Sequence, residues 1–482
     1  MKNPNAGKRR KKRLWMCGAL CAVAAVLSLW LWLREKPSDP VVLTMWHNPG
    51  SQARHALSEV AEEFNRTLGR EKGITLLVTS IGTSRVLHEK LELIANRDPG
   101  APEPPDIAIA YPKTAILLAR KNRLADLAPH FTGKELAAYV PRFLEEGRIL
   151  NGGLYVFPVN KSTEGLIVNR TLFDPFAEAT GARIEDLATT EGLLRLAREY
   201  HRWTDDRTPT PGDGQMFFMF DSLFNFAQTA FQQLGEDFFA PSKDGKVIGK
   251  INVDSPIFRK VWDAAYEPAV RGWAAIYEGY GTDLTKTGDL VCWTSSTAGI
   301  TFLPTSMIYS DNTSVPVTFD LLPCPVFEGG RKTAIQRAGG FCLLKSTPER
   351  EKAAVIFLKW LTAPENNLNY LRDTGYLPVT AEAIRRAVVE RSATAGAGNA
   401  VPLRDRFLDL MAVMEREYDF FIPPLLDDYE RLERKYESLL RKSAQQSREK
   451  FLELRESMGP DEAFRAASEG AFANFTKALT GN

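Results

Sequence analysis

The stretch VVLTMWHNPGSQARHALSEVAEEFNRTLGREKGITLLVTS, residues 41–80, decides the fold class. Its apolar run Val41–Trp46 predicts a buried strand, and the apolar positions of Ser51–Gly69 recur with the spacing of one helix face. A second apolar run, Ile74–Thr79, predicts another strand. A strand, a helix and a strand in this order indicate an α/β fold with parallel strands.

The same alternation continues towards the C-terminus. Ser84–Ala95 predicts a second helix, Asp106–Ala110 a third strand, and a third helix begins at about Lys113. Looser strand and helix patterns follow as far as about Thr380, after which the chain becomes helical and highly charged. A chain of 482 residues is long enough for two or three domains built in this way.

Charge is distributed unevenly along the chain. Nine of the 61 Lys and Arg residues, but one of the 60 Asp and Glu residues, lie within the first 36 positions, so the remainder is acidic. Binding to a phosphate backbone requires a basic surface, which excludes nucleic acid as the expected partner. Cys292, Cys324 and Cys342 have apolar neighbours that predict buried thiols, although one disulfide among them stays open.

The N-terminus has the pattern of a membrane-inserted segment. An unbroken run of six cations, Lys8–Arg13, precedes twenty uncharged residues, Leu14–Leu33. A helix of that length is about 30 Å long and spans a bilayer, while the cations keep its start in the cytoplasm. We predict a basic cytoplasmic segment 1–13, a transmembrane anchor 14–33, a linker 34–40 and an extracytoplasmic remainder. A cleaved signal peptide is the alternative to the anchor.

The usual signals of enzyme chemistry are missing from the sequence. None of the five histidines forms a metal-type pair one helical turn apart, and neither a Gly-x-Ser-x-Gly elbow nor a phosphate loop is present. We therefore predict no catalytic residue, no metal and no cofactor. Two carboxylates for glycoside hydrolysis are not recognisable by counting among 60 acids, so a glycan-processing enzyme stays as a minor hypothesis.

Seven segments together resemble the family 1 extracellular solute-binding proteins, the group of the maltose-binding and glycerol-3-phosphate-binding proteins. The segments are TMWHNPGSQARHALSEVAEEFN from Thr44, PDIAIAYP from Pro105, YVFPVNKSTEGLIVNR from Tyr155, GDLVCWTSSTAG from Gly288, AGGFCLLKS from Ala338, FLKWLTAPENN from Phe357 and TGYLPVT from Thr374. They occur in the family's order, and the last two with their spacing are the most specific. The Ser- and Thr-rich segments favour the glycerol-phosphate-like branch.

The resemblance implies a two-lobed type II periplasmic-binding-protein fold of the α/β class, with a hinge. The chain is expected to cross between the lobes near Pro158, Gln336 and Leu377. The expected lobes are 41–158 with 336–376 for lobe one, and 159–335 with 377–482, including the helical C-terminal region, for lobe two. Such proteins close about their hinge around a ligand.

The function implied by the resemblance is that of the substrate-binding component of an ABC importer. The ligand would be a carbohydrate or a sugar- or glycerol-phosphate-type solute, captured between the lobes by a monomeric soluble part and delivered to membrane permease subunits. A membrane-anchored sensor that signals through a partner is the alternative, because the predicted anchor and the additional C-terminal helices depart from the family pattern.

The first expected crossing brings candidate ligand contacts with it. By the resemblance, Ser162 takes a ligand-contact position, with Thr163 beside it. Lys161 is either a surface lysine at the hinge or the partner of an anion. Gly340 follows the second crossing, where glycine allows a backbone to approach a ligand or another chain segment closely. Tyr376, at the third crossing, offers a ring for stacking on a sugar and a hydroxyl for a phosphate, or fills the core.

Further candidates follow the ends of predicted strands, where ligands bind in open α/β sheets. Ser295 and Ser296 follow the strand predicted at Leu290–Trp293 and either cap a helix or contact the ligand. The remaining candidates are Tyr111, His47, Thr83 and Ser84 near strands of lobe one, and Phe224 in lobe two, for which core packing is the alternative. An arginine that completes a phosphate site is expected from the C-terminal region, although the sequence does not indicate its position.

If residues 14–33 span the bilayer, the full-length protein should stay with membranes after washing in high salt and carbonate, and its first residue should lie near Met1. Membrane sedimentation with N-terminal sequencing checks this. Recovery of a soluble form that begins after Ala25 would contradict the anchor and indicate a cleaved signal peptide.

Overall fold

The computed structural model describes residues 40–47, 51–82, 84–210, 212–241, 247–372, 374–394, 403–426 and 428–481. The predicted segments 1–13 and 14–33, and all of the predicted linker except Pro40, lie outside these residues. Within the described ranges, no helix has both the length and the apolar character needed to cross a membrane.

The strands alternate with helices through most of the chain. The strands are β1 Val41–His47, β2 Ile74–Ser80, β3 Ile107–Ala110, β4 Arg148–Ile149, β5 Gly153–Leu154, β6 Glu164–Asn169, β7 Phe218–Phe220, β8 Phe239–Pro241, β9 Val247–Ile251, β10 Ala274–Ala275, β11 Cys292–Ser296, β12 Ser306–Ile308, β13 Ser314–Pro316, β14 Phe319–Pro323, β15 Thr333–Ile335, β16 Gly340–Leu343 and β17 Asp419–Phe421.

The helices cover the sheets and make up most of the C-terminal region. They are α1 Ser51–Phe64, α2 Arg70–Lys72, α3 Ser84–Asn96, α4 Pro112–Arg120, α5 Gly133–Leu136, α6 Pro141–Gly147, α7 Arg170–Thr180, α8 Thr190–Asp205, α9 Leu223–Leu234, α10 Pro256–Arg271, α11 Gly281–Thr285, α12 Pro348–Leu361, α13 Pro364–Leu371, α14 Ala381–Thr394, α15 Leu403–Glu417, α16 Tyr429–Arg455, α17 Pro460–Ala467 and α18 Ala471–Thr480. A π-helix, Asn65–Gly69, continues α1, and a 3₁₀ helix, Thr297–Phe302, follows β11.

The first sheet has the strand order β16-β3-β1-β2. β1 is parallel to β2 and β3, as the alternation of strands and helices predicts, whereas β16 is antiparallel to β3. The buried residues of this region, such as Leu43, Phe64 and Phe357, form the first core. The predicted elements between Val41 and Ala110 are confirmed within one or two residues, apart from the π-helical end of α1.

The second sheet has the order β10-β7-β11-β6-β14. β7 is parallel to β10 and β11, but β6 is antiparallel to both of its neighbours, so this sheet is mixed rather than mostly parallel. Residues of one face of this sheet, such as Val168 and Phe218, form the second core together with residues of the helices α7 to α10 and α16 to α18. The thiols of Cys292, Cys324 and Cys342 are free, and burial raises the pKa of each.

Three chain segments pair where the two cores meet, within four residues of the predicted crossings. The amide of Lys161 donates to the Leu377 carbonyl (3.1 Å), and the amide of Leu377 donates to the Lys161 carbonyl (2.6 Å). In the same way, the amide of Ser162 donates to the Arg337 carbonyl at 3.1 Å, and the amide of Arg337 donates to the Ser162 carbonyl at 2.8 Å. The segment after Pro158 is therefore the middle strand of a three-segment ladder. We call these paired segments, 158–163, 333–338 and 376–377, the junction.

The C-terminal region adds a fourth segment to the junction, which the sequence did not indicate. β17 pairs in parallel with β15, and the amide of Gln336 donates to the Phe421 carbonyl at 2.9 Å. Before β17, Phe407 and Met414 of α15 lie in the first core; after it, α16 lies in the second. The chain thus passes between the cores a further time, and the lobe boundary at Leu377 stays a prediction.

The burial of α16 yields a test of whether the C-terminal region is integral to the fold. Leu440 is fully buried in the second core, while Leu452 on the same helix is 46% exposed. Leu440→Ala should lower the free energy of unfolding by about 2–5 kcal/mol, and Leu452→Ala by less than about 0.5 kcal/mol. Urea unfolding measures both. Equal effects of the two substitutions would mean that α16 does not belong to this core.

Candidate functional site

A pocket of about 490 Å³ opens between the two cores, at the junction. Its volume lies within the range usual for small-molecule sites. Its lining comes from α4, α6, α9, the loop before α11, the junction and the segment around the start of α16. The lining residues are Tyr111, Pro112, Glu146, Asn225, Tyr280, Ile335, Gln336, Arg337, Ala338, Ile422, Pro423, Pro424, Leu425, Leu426, Tyr429, Glu430 and Glu433.

Arg337 is the cation of this pocket. Its Nη1 donates to Glu164 Oε1 at 2.7 Å, and the same oxygen accepts from Asn225 Nδ2 at 2.7 Å. Burial works against the charge of Arg337, but the nearby Glu164, Tyr111, Glu433 and, more weakly, other groups outweigh it and raise the pKa of the guanidinium. The side chain is still 39% exposed, so it reaches the pocket while Glu164 orients it.

Asp221 lies next to this pair, at the end of β7. Its Oδ1 accepts from the Gly281 amide at 2.7 Å, which fixes the turn that carries Tyr280. Burial raises the pKa of Asp221 to about 6; the Gly281 amide and the Ser295 hydroxyl act in the opposite direction.

The predicted hydroxyl contacts converge beside the pocket. Ser296 Oγ donates to Ser162 Oγ at 3.5 Å, and Ser295 hydrogen-bonds to Asp221. Ser296 also caps the 3₁₀ helix that follows β11, which is the capping role that the sequence left open. Thr163 is fully buried, and its hydroxyl donates to the Ile335 carbonyl at 2.7 Å, which ties together two segments of the junction.

Lys161 is neither at the surface nor facing an open site. It is 2% exposed, and its Nζ donates to Glu146 Oε2 at 2.7 Å. Gln336 donates to the same carboxylate oxygen. Lys161 is thus the partner of an anion, but that anion belongs to the protein. The pair joins α6 to the first two segments of the junction.

Three predicted residues occupy packed positions. Gly340 lies where a Cβ atom would come within 2.5 Å of the Phe157 carbonyl oxygen, so glycine allows the two strands to approach each other. Phe224 is fully buried in the second core, the packing alternative considered for it. His47 ends β1 and is 1% exposed. Thr83 lies outside the described residues; Ser84 begins α3, and its side chain is also outside them.

Two predicted tyrosines are close to Arg337. Tyr111 lines the pocket and is 45% exposed. Burial raises the pKa of Tyr376 to about 12, an effect that Tyr111 strengthens and Arg337 opposes, so the three side chains are neighbours. Tyr376 also lines a smaller, mainly apolar cavity of about 160 Å³ against α14 and α15. Of the two cavities, the larger one has the polar groups of a ligand site.

Sequence reasoning missed Arg337, Tyr280, Tyr429 and Glu433 as pocket residues. Arg337 directly precedes the segment AGGFCLLKS, so its position next to a recognised motif could have indicated it. It lies in the junction, where it pairs with Ser162, and not in the C-terminal region from which an arginine is expected. Tyr280, Tyr429 and Glu433 lie in segments without a local signal. In the part of the chain that the structure describes, no cluster of three His, Cys, Asp or Glu could hold a metal ion.

Solved structures share this architecture. The cyclic alpha-maltosyl-1,6-maltose binding protein from Arthrobacter globiformis superposes with a TM-score of 0.62 at 18% identity, covering 92% of this chain and 100% of that one. An ABC substrate-binding protein from Listeria monocytogenes, in complex with cycloalternan, gives 0.63 at 16% identity, covering 91% and 100%. UgpB from Mycobacterium tuberculosis, in complex with glycerophosphocholine, gives 0.62 at 16%, covering 91% and 97%. The molecule therefore has the mixed α/β periplasmic-binding-protein fold.

The family model for bacterial extracellular solute-binding proteins matches residues 59–397, more than half of the chain. The protein therefore belongs to the bacterial extracellular solute-binding proteins. The resemblance drawn from the sequence segments is confirmed, and the family consists of binding proteins rather than enzymes. A comparison with curated proteins gives no match.

Asp221 generates a pH-dependent prediction. Because its folded pKa is raised, its contribution to stability is present below its ordinary value of 3.8 and is lost as the pH rises through about 6. Asn stays neutral and still accepts from Gly281. Asp221→Asn should therefore raise the free energy of unfolding at about pH 7.5 by on the order of 1–3 kcal/mol, and by less at about pH 4.5. Urea unfolding at both values measures this; a pH-independent difference would contradict it.

Proposed function

We propose that this protein is the substrate-binding component of an ABC importer, which captures a carbohydrate or a sugar- or glycerol-phosphate-type solute between two lobes and delivers it to a permease. The family membership and the fold support this role. Neighbouring folds include a cyclic alpha-maltosyl-1,6-maltose binding protein and a protein in complex with glycerophosphocholine, which suggests these two classes of solute for testing.

The observation that carries the proposal is the position of the pocket. Tyr111 directly follows β3 of the first sheet, Asn225 lies on a helix of the second core, and Arg337 lies in the junction. A solute in this pocket touches both sides. It makes more contacts when the sides approach each other, and this difference in affinity drives closure.

The lining suits a solute with many hydroxyl groups. Tyr111 and Tyr280 are 45% and 69% exposed, and such rings provide flat apolar surfaces on which the C–H faces of a sugar stack. Arg337 donates hydrogen bonds, Glu433 accepts them and Asn225 does both, so sugar hydroxyls can be satisfied in either direction.

The predicted contacts Ser162, Ser295, Ser296 and Tyr376 remain part of this proposal. They lie around Arg337 and Asp221, next to the pocket rather than among its lining residues. Closure of the two sides would bring such neighbouring hydroxyls towards a bound solute. Thr163, Lys161, Gly340, Phe224 and His47 would contribute through the packing that supports the site.

The test begins with a thermal-shift screen of the full chain against maltooligosaccharides, sugar phosphates and glycerophosphodiesters. A ligand at a hundredfold excess over its dissociation constant adds about 2.7 kcal/mol of stability. Tyr111→Ala and Tyr280→Ala should each weaken binding of the resulting ligand by about 1–3 kcal/mol, the scale of a buried aromatic contact. Isothermal titration calorimetry measures the affinities.

Tyr277 provides the matched control for the aromatic substitutions. It is 46% exposed, close in sequence to Tyr280 and not among the lining residues. Tyr277→Ala should leave the affinity unchanged. A ligand that is bound equally well by all three variants would place the site elsewhere, and stoichiometric conversion of the ligand would indicate an enzyme instead.

A further inference from the structure

Five consecutive apolar residues, 422–426, line one side of the pocket. They directly follow β17, which pairs in parallel with β15, and the Gln336 amide donates to the Phe421 carbonyl at 2.9 Å. Pro423 and Pro424 have no N–H group, so they cannot donate to a continued ladder. The segment therefore leaves the junction at Gln336 and lines the pocket next to it. We call residues 422–426 the apolar wall.

Both ends of the apolar wall are held by the protein. Before it, the Phe420 ring lies against the guanidinium of Arg142 on α6, with 4.5 Å between the guanidinium carbon and the ring centroid. At its end, Leu426 is 8% exposed and belongs to the second core, and its carbonyl accepts from the Tyr429 amide at 3.3 Å. Between these points, two consecutive proline rings restrict the backbone. A wall held in this way loses little conformational freedom when a solute binds.

Leu425 is the side chain of the apolar wall that the protein leaves uncovered. It is 40% exposed, although the adjacent Leu426 is buried. Tyr111 and Tyr280 are also exposed and line the same pocket. Large hydrophobic side chains that are exposed together in a concave pocket are typical of a ligand site, and a volume of about 490 Å³ admits a small molecule rather than a folded protein.

The chemistry of the apolar wall differs from that of the other lining groups. Leucine, isoleucine and proline side chains have no hydrogen-bonding group and no aromatic face, so they are not suited to sugar hydroxyls or to ring stacking. They gain free energy when apolar surface is removed from water. Arg337, in the adjacent junction, is 39% exposed and donates hydrogen bonds. The pocket therefore has a side for hydroxyl groups and a side for an aliphatic or aromatic group.

We propose that the apolar wall binds an apolar, non-sugar substituent of the solute, so that the preferred ligand is a glycoside with an alkyl or aryl group rather than a free oligosaccharide. This inference rests on the proposed function and narrows its solute class. The sugar would lie at Arg337 and the two tyrosines, and its substituent would cover Leu425. The wall lies beyond residue 397, where the family match ends, so the matched region does not supply this side of the pocket.

The experiment compares the full chain with Leu425→Asn, which makes the wall polar with little change in side-chain size. Leu452→Asn is the matched control, because Leu452 is a leucine of the C-terminal region that is 46% exposed and is not among the lining residues. The probes are maltose and para-nitrophenyl α-maltoside, which differ by the aryl group. Calorimetric titration gives the affinities. Urea unfolding checks each variant, and Leu425→Ala replaces Leu425→Asn if the latter does not fold.

The wild-type protein should bind para-nitrophenyl α-maltoside at least about tenfold more tightly than maltose, because the aryl group loses contact with water against Leu425. Leu425→Asn should reduce this difference to about threefold or less, and should change the affinity for maltose by less than about twofold. Leu452→Asn should behave as the wild type. These three results together would support the assignment.

N-phenylnaphthylamine, an uncharged fluorophore without a sugar, gives a second readout of the apolar wall. In a fluorescence titration, Leu425→Asn should bind it at least about threefold more weakly than the wild type and Leu452→Asn do. This probe decides the assignment if neither maltoside binds while the thermal-shift screen returns another solute. Equal affinities of the wild type and Leu425→Asn would then overturn the assignment.

Two further results would overturn the assignment and leave the proposed function intact. One is equally tight binding of maltose and para-nitrophenyl α-maltoside by the wild type. The other is a preference for the aryl glycoside that Leu425→Asn retains in full. A thermal-shift screen without a hit, together with binding of neither maltoside by any of the proteins, would instead overturn the proposed function, and the assignment of the apolar wall with it.

Discussion

The backbone pairing of Lys161 and Ser162 on both sides is the constraint on which the rest of the structure depends. Lys161 bonds to Leu377 and Ser162 to Arg337, so the first segment that leaves the first core becomes the central strand of the junction. The Lys161 ammonium is buried against Glu146, and removing either partner would leave an isolated charge in the protein interior. The two cores are therefore held at one place, and the pocket lies where they meet.

The proposed closure would combine locally fixed side chains with cores that move relative to each other. The side chains that a solute would touch are held locally: Glu164 orients Arg337, and Asp221 holds the turn of Tyr280. Relative movement of the cores requires changes in only a few backbone dihedrals at the junction. A protein can close on a ligand without rebuilding its site when the contacts on each side are preorganised and only a few strands connect the two sides.

Local patterns in the sequence predicted the elements of the first sheet because its strands and helices are continuous and periodic, as in Val41–His47. They did not predict β17 or the side of α16 that faces the pocket. The pairing of Thr333 with Asp419, which forms β17, is long-range and leaves no local signal in the sequence. Only part of the candidate site was predicted, for a related reason. A serine or threonine after a strand is equally suited to a ligand, a helix cap or, as for Thr163, a bond between chain segments, and only the tertiary structure separates these roles.

The C-terminal region shows how this ambiguity extends to charge. The alternating acids and bases of Tyr429–Arg455 are typical of a solvated helix, and each of them is at least partly exposed. Yet burying one apolar stripe orients two adjacent acids, Glu430 and Glu433, towards the pocket that Arg337 also lines. The family match ends at residue 397, before α15 begins. The region beyond the match therefore helps to build both cores, through Phe407 and Met414 in the first and α16 in the second, whereas Arg337 and its ion-pair partner Glu164 lie within the matched region. The junction bonds of Lys161 and Ser162 do not involve α16, so the helix contributes to the second core without taking part in this backbone pairing.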